Sequence, residues 1–252
     1  MHRHHQGIAE TSAVSNRTPM TIVLLILLAG VVLGSCSGRM EASIRTDGSL
    51  RAAIRIEVPR ELAPRIRQFA DLPEPLPLFD EASIRAQFAD RKEIILADLA
   101  VPTPEQCTSI IWIPSLEKLV TNTALVPEGM ISYKLQPGTG GRPSLRELSV
   151  NLTRSNASSM FALLPGLDTR ILESLNPPAL EKDGLNAADY RRNLEQVIIG
   201  KKNMPAFDAC AAEIQITAPR TILSASGGTA SGPVFKTRIP LFDLLTLEKP
   251  LK

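Results

Sequence analysis

Residues 40–59 read MEASIRTDGSLRAAIRIEVP, and this stretch decides the fold class of the chain. Apolar and polar side chains alternate with a period of two on both sides of Asp47-Gly48, a dipeptide that favours tight hairpin turns. A second hairpin is predicted around the turn PGTGGRP, and AEIQITAP and PVFKTRIPL near the end of the chain alternate in the same way. Strand pairs outnumber strand-helix-strand units, so the sequence predicts an α+β fold with a mainly antiparallel sheet.

Short helices are predicted in two blocks that cover one face of this sheet. In the first block the apolar residues at helical spacing are Leu62, Ile66 and Phe69. In the second block Asn186 and Asp189 resemble a capping box that starts a helix ending at Gly200. The apolar stripe of that helix is predicted to be Tyr190, Leu194, Val197 and Ile198. Between the blocks, EIILADLAVP and CTSIIWIP predict buried strands.

Upstream of the first hairpin lies an apolar run, IVLLILLAGVVL at residues 22–33. It is shorter than the ~20 residues that a membrane-spanning helix needs. With Arg3 and Arg17 before it, the run is typical of a signal peptide covering residues 1–35. The alternative is a retained amino-terminal helix, because residues 18–38 carry no charge.

The run ends in Leu33-Gly34-Ser35-Cys36, which resembles the lipobox of bacterial lipoproteins. The resemblance implies cleavage before Cys36, acylation of its thiol, and attachment of the mature domain to the membrane through those acyl chains. In that family an aspartate after the cysteine retains the protein at the inner membrane. Ser37 stands there in this chain, so the resemblance favours the outer membrane or the cell surface.

Residues 36–120 also resemble LppM-type envelope lipoproteins. The resemblance rests on the lipidated cysteine, the acidic-Gly hairpin, and the segment IPSLEKL at residues 113–119. Proteins of this type are associated with envelope lipids and glycolipids, which implies a lipid or glycolipid as a ligand. The mature domain is expected to span residues 36–252, with possible subdomains at 36–125 and 126–252.

Histidine is confined to the predicted signal peptide, at His2, His4 and His5. A mature domain without histidine excludes Ser-His-Asp and Cys-His catalysis, and also histidine-ligated metals. The 28 basic and 26 acidic residues nearly balance, so the charge gives no support for a nucleic-acid partner. We therefore expect no catalytic residue, no metal site and no cofactor.

Ser115 and Lys118 have the S-x-x-K spacing of penicillin-binding proteins and serine β-lactamases. Ser149-Val-Asn151 and Lys236-Thr237-Arg238 follow in the order of that family, but Arg238 stands where the third motif needs glycine. The other interpretation is that Ser115 caps a helix. A histidine-free Ser/Lys hydrolase is therefore only a remote alternative.

Cys107 and Cys210 remain in the mature domain besides Cys36. In an oxidising envelope compartment, a disulfide between them is one prediction. The alternative is that both are small buried hydrophobic residues with no bond between them.

A dense apolar segment surrounds Pro165-Gly166. Its members are Met160, Phe161, Leu163, Leu164, Ile171 and Leu172. One hypothesis is that they form the wall of a groove for an acyl chain. The alternative is that they belong to the core.

These observations predict a lipid-anchored protein of the bacterial cell envelope with a non-catalytic binding or assembly role. Its partners are expected to be the membrane, through acylated Cys36, and a lipid or glycolipid ligand. The alternative is a surface lipoprotein that contacts another envelope protein.

Overall fold

The computed structural model describes residues 37–74, 76–138, 144–165, 171, 175–181 and 184–252. Residues 1–36, and with them the predicted signal peptide and lipobox, lie outside these ranges. The strands are β1 (Ser37–Ile44), β2 (Leu50–Glu57), β3 (Ile95–Thr103), β4 (Gln106–Ile113), β5 (Ile131–Gln136), β6 (Leu145–Val150), β7 (Ala211–Thr217), β8 (Thr229–Ser231) and β9 (Val234–Pro240).

Seven short α-helices occur in the described part of the chain. They are α1 (Ala63–Phe69), α2 (Glu81–Phe88), α3 (Leu116–Thr121), α4 (Ala157–Ala162), α5 (Ala187–Asn193), α6 (Met204–Asp208) and α7 (Leu241–Thr246). A π-helical turn at Leu194–Ile198 continues α5, and a 3₁₀ turn at Lys201–Asn203 precedes α6.

A seven-stranded sheet in the order β3-β4-β2-β1-β7-β9-β8 forms the centre of the fold, and β5 pairs with β6 in a separate hairpin. All neighbouring strands are antiparallel except β1 and β7, which run parallel. The predicted α+β fold with a mainly antiparallel sheet is confirmed. The first strand lies at the middle of the sheet, so strands from both halves of the chain belong to one compact unit. The subdomain division between residues 125 and 126 has no counterpart here.

The first hairpin forms where the Asp47-Gly48 pattern predicts it, with Ile44 opposite Leu50. Gly48 adopts a φ of 84°, a left-handed conformation that favours glycine. The Asp47 carboxylate accepts hydrogen bonds from the backbone N–H and the hydroxyl of Ser49, at 2.9 and 2.7 Å. These bonds lower the pKa of Asp47 and hold the turn in its conformation.

The helices cover one face of the large sheet and enclose the core there. On β2, Leu50, Ala52 and Ile54 are buried, while the alternating Arg51 and Arg55 are exposed. The core comprises three clusters. Cluster A surrounds Tyr190, Leu194 and Phe207, cluster B surrounds Ile54, Ile111 and Met130, and cluster C surrounds Leu152 and Phe161.

Strands β3 and β4 differ in burial, although both were predicted to be buried. Strand β4 alternates as an inner strand, with Cys107, Ser109, Ile111 and Ile113 buried. Strand β3 is an edge strand, and Leu99 is its buried residue. The prediction is wrong for β3 because an apolar run alone does not show whether a strand has one neighbour or two.

The helix predicted from Asn186 to Gly200 is present, but the residues that form its buried apolar stripe differ from the predicted ones. The Asn186 side chain accepts a hydrogen bond from the Asp189 backbone N–H at 2.9 Å, as a capping residue does. The π-helical turn inserts extra backbone per turn, so the residues beyond it change their direction. Val197 is therefore 53% exposed, and Ile199 is buried instead.

Candidate functional site

The residue proposed to carry the lipid, Cys36, lies outside the described residues, as do Leu33, Gly34 and Ser35. The chain that follows Cys36 enters β1 directly at Ser37. Within the described ranges, no helix has both the length and the apolar character needed to cross a membrane.

Ser115 acts as a helix cap. Its hydroxyl accepts a hydrogen bond from the backbone N–H of Lys118 at 3.2 Å, at the start of α3. The other two motifs of the hydrolase pattern fall on different sheets, since Ser149 lies on β6 and Lys236 on β9. The capping interpretation is confirmed, and the S-x-x-K spacing follows from it.

Cys107 and Cys210 are both buried thiols, so the predicted disulfide is wrong for this structure. Cys107 lies beside Ile56 on β2, and β1 then separates β2 from β7, which Cys210 precedes. Three strand spacings of ~4.8 Å separate β4 from β7, whereas a disulfide requires Cα atoms within about 7 Å. The alternative, two buried hydrophobic cysteines, agrees with the structure.

The predicted apolar wall does not form one surface. Phe161 belongs to cluster C, Leu163 to cluster B and Ile171 to cluster A. Met160 and Leu164 are half-buried against these clusters, and Leu172 lies outside the described residues. The side chains fill three separate parts of the interior, so the core interpretation replaces the wall.

The sheet face opposite the helices is open to solvent. This open face carries charged residues and the chain's only tryptophan: Arg39, Glu41, Arg51, Arg55, Trp112, Glu213, Lys236 and Arg238. The strand register aligns Arg55, Arg39, Glu213 and Arg238 in one row across β2, β1, β7 and β9. A second row, nearer the other end of the strands, contains Ile95, Trp112 and Arg51.

A depression of about 540 Å³ lies along β1, β7 and β9. Its lining includes charged residues of the open face together with Met40, Ile214 and Thr237, which the strand register places on the other face. We call it the open-face cleft. Charged residues that line it are Arg39, Glu213, Lys236 and Arg238, and the backbone of residues 227–229 forms one side. Gly228 packs closely here, because a Cβ atom at this position would lie 2.4 Å from the Lys236 carbonyl oxygen. The Gly227-Gly228 pair thus allows a loop to approach β9.

The cleft carries more positive than negative charge. Arg39 pairs with Glu41 at 3.1 Å, and Arg238 lies 4.0 Å from Glu213. Lys236 forms no ion pair within the described part of the chain. Arginine and lysine side chains in this arrangement bind anionic oxygens, particularly phosphate.

Residues of the cleft were missed by sequence reasoning. The alternation of charged and apolar residues on β1, β7 and β9 predicts a polar face on each strand. It does not predict that β7 lies beside β1, and this pairing alone brings Arg39 next to Glu213. Among the residues that the structure describes, no group of three or more His, Cys, Asp or Glu side chains is placed to hold a metal ion.

Comparison of the chain with protein-family models, curated proteins and solved structures finds no match.

Proposed function

We propose that this chain is a lipid-anchored protein of the bacterial envelope that binds a ligand without catalysing a reaction. The ligand class we propose is the anionic headgroup of an envelope lipid or glycolipid, bound in the open-face cleft. The observation that carries this proposal is the position of the cleft, because its Arg39 follows Cys36 by three residues in the sequence and lies on β1, which begins at Ser37.

The position of the cleft relative to the anchor supports this ligand class. Arg39 lies two residues beyond Ser37, which corresponds to a rise of about 7 Å along a strand. If Cys36 is acylated, Arg39, Lys236 and Arg238 lie near the phosphate groups of the surrounding lipids. Each basic residue close to an anionic membrane surface contributes about 1 kcal/mol to the attraction.

The charge at the site favours a headgroup over an acyl chain alone. The apolar side chains proposed as a groove are part of the core, whereas the cleft combines Arg39, Lys236 and Arg238 with the apolar Met40 and Ile214. Both Arg39 and Arg238 side chains are more than half exposed, so ionic strength should weaken binding.

The anchor is tested by metabolic labelling with a fatty-acid analogue. The wild-type chain should carry the label, and Cys36→Ala should not, because the thiol is the acylation site. Equal labelling of both proteins would contradict the anchor.

The cleft is tested by native mass spectrometry of the full-length protein with phosphatidylglycerol. Lys236→Glu should lower the bound fraction several-fold, because it inverts the cleft's unpaired cation. Lys134→Glu on β5 makes the same charge change away from the cleft and should bind as the wild type does. Equal binding of phosphatidylglycerol by both variants would contradict the cleft as the headgroup site.

A protein partner is the second candidate. The row of the open face that contains Ile95, Trp112 and Arg51 favours it. Trp112 is 41% exposed beside Ile95, which is 37% exposed. Exposed tryptophan flanked by arginine is typical of protein interfaces.

A further inference from the structure

We propose that the end of the domain at which β1 begins lies against the anionic surface of the membrane. This end carries a basic patch, which comprises the exposed side chains of Arg60, Arg65, Lys201 and Lys202. The partner of the basic patch is the phosphate layer of the membrane, whereas the open-face cleft is proposed to hold a single headgroup. The inference rests on the proposed anchor, because the anchor decides which end of the domain faces the membrane.

The strand register places the basic patch near the start of β1. Ser37 pairs with the last residue of β2 and with the first residue of β7, so these strand ends lie beside it. Arg60 follows the end of β2 by three residues, and the segment from Lys201 to Asp208 leads towards β7. Both segments therefore lie towards the end of the sheet at which the proposed anchor enters.

Contacts between two distant segments bring the basic residues together. Helix α1 and the π-helical turn both contribute side chains to cluster A and pack against each other. A Cβ atom at Gly200 would lie 3.7 Å from Nη2 of Arg65, so this guanidinium lies beside the chain that continues into Lys201. The fold thus assembles a basic patch from residues that form no basic run in the sequence.

The basic patch keeps a net positive charge. In the ranges described above, its four cations form no ion pair. Arg65 donates a hydrogen bond to the neutral amide oxygen of Gln68 at 3.1 Å. Glu61 is an exposed acidic residue beside the patch, and Glu195 interacts with Arg191 instead, where it helps to raise the pKa. The remaining positive charge attracts the phosphate groups of an anionic membrane.

The opposite end of the sheet has a balanced charge. The N–H of Leu116 and the side chain of Arg146 donate to carbonyl oxygens of the Asp47 turn, so α3 and β6 lie at this end. An anionic surface should therefore attract the end with the basic patch and not this one, which gives the anchored domain one orientation. The four basic and four acidic side chains described in this turn and from α3 to β6 are Arg45, Lys118, Lys134, Arg146, Asp47, Glu117, Glu128 and Glu147.

Exposed apolar side chains accompany the basic patch. Phe69 is 37% exposed and lies about one helical turn after Arg65 on the same face of α1. Val197 is 53% exposed on the π-helical turn that packs against α1. Basic residues combined with exposed apolar ones are typical of segments that lie in the membrane interface, where the apolar side chains enter among the headgroups.

The full-length protein reconstituted into vesicles tests this orientation. A fluorophore is attached either to Gln68→Cys, on the exposed face of α1, or to Thr46→Cys, in the turn at the other end of β1. Cys107 and Cys210 are buried and should not be labelled, and the wild-type chain gives the background. The vesicles contain phosphatidylcholine with or without phosphatidylglycerol, together with a lipid that carries a nitroxide quencher on its headgroup.

The two fluorophore positions should respond differently. Emission from residue 68 should fall several-fold in vesicles with phosphatidylglycerol and recover at high salt, because salt screens the attraction. Emission from residue 46 should stay constant, because a rise of about 3.3 Å per residue holds this turn more than ~20 Å from Ser37.

Charge reversal tests whether the basic patch causes the quenching. Lys201→Glu with Lys202→Glu should lower the quenching at residue 68 several-fold, because two attractive charges become repulsive. Lys118→Glu with Lys134→Glu makes the same charge change at the balanced end and should leave the quenching unchanged. All four lysines are exposed, and a circular-dichroism melting curve of each variant separates loss of attraction from loss of fold.

Three results overturn the inference: equal quenching at residues 68 and 46, equal quenching with and without phosphatidylglycerol, or full quenching after reversal of Lys201 and Lys202. A photoreactive maleimide on the Gln68→Cys thiol should capture lipid in native membranes, and a product with the mass of another protein also overturns the inference. Fatty-acid labelling of the same membranes keeps the proposals distinct. Labelled chains without quenching at residue 68 reject this inference alone, whereas unlabelled chains reject the anchor together with the orientation.

Discussion

The buried thiol of Cys107 predicts how the stability of the domain depends on pH. Burial, with a smaller contribution from Glu81, raises the pKa of Cys107 from its ordinary 9.0 to about 11. The side chain is 1% exposed, so water screens this effect little. At about 1.4 kcal/mol per pKa unit, a rise of two units corresponds to about 3 kcal/mol.

The direction of this pH dependence follows from whether the folded or the unfolded chain holds the Cys107 proton more tightly. The folded chain keeps the Cys107 proton above the pH at which the unfolded chain releases it. The stabilisation by the neutral thiol is therefore complete below pH 9 and is lost as the pH rises from 9 towards 11.

Urea unfolding of the full-length protein in detergent tests this, with Cys107→Ala as the perturbation. At neutral pH the variant should lose about 1 to 2 kcal/mol, because it leaves a small cavity beside Ile56. Between pH 9 and 11 the wild type should lose about 2 kcal/mol more than the variant. Ser109→Ala, the next inward residue on β4, does not titrate and should follow the wild type. If the free energies of unfolding of the wild type and Cys107→Ala changed equally with pH, the role of the Cys107 thiol would be refuted.

Two further substitutions test single hydrogen bonds. Tyr190→Phe should cost about 1 kcal/mol in urea unfolding, because the buried hydroxyl donates to the Leu175 carbonyl at 2.9 Å, and an unchanged midpoint would contradict this. Ser115→Ala should cost about 1 kcal/mol in the same assay through loss of the α3 cap, whereas Ser115→Asp should retain most of the stability.

Elements set by neighbouring residues could be predicted from the sequence. Asp47-Gly48 predicts the first hairpin because a turn of that kind needs a residue that tolerates positive φ. Ser115 and Asn186 mark helix starts because their side chains satisfy backbone N–H groups within three residues. Each of these signals acts over a short distance along the chain, and each is present in the structure.

Features that depend on distant residues could not be predicted. The parallel pairing of β1 with β7 joins Ser37 to Ala211, and no local pattern specifies it. That pairing decides the separation of the two cysteines and creates the open-face cleft. The π-helical turn after α5 is a second feature that could not be predicted. It moves Val197 to the surface, although the spacing of apolar residues in the sequence is that of an ordinary α-helix.

The central position of β1 connects the proposed anchor to the proposed binding surfaces. Because β1 is paired along its length with both β2 and β7, it cannot detach from the body without breaking two ladders of hydrogen bonds. Ser37, the first residue after Cys36, is therefore held in the sheet, and each row of the open face has a set distance from Ser37. The row of Arg39 lies about 7 Å from Ser37 along the strand, and the row of Trp112 lies about 20 Å away. If Cys36 is acylated as proposed, a headgroup of the same membrane can reach the row of Arg39, whereas the row of Trp112 is placed for a protein that rises from the membrane to a similar height.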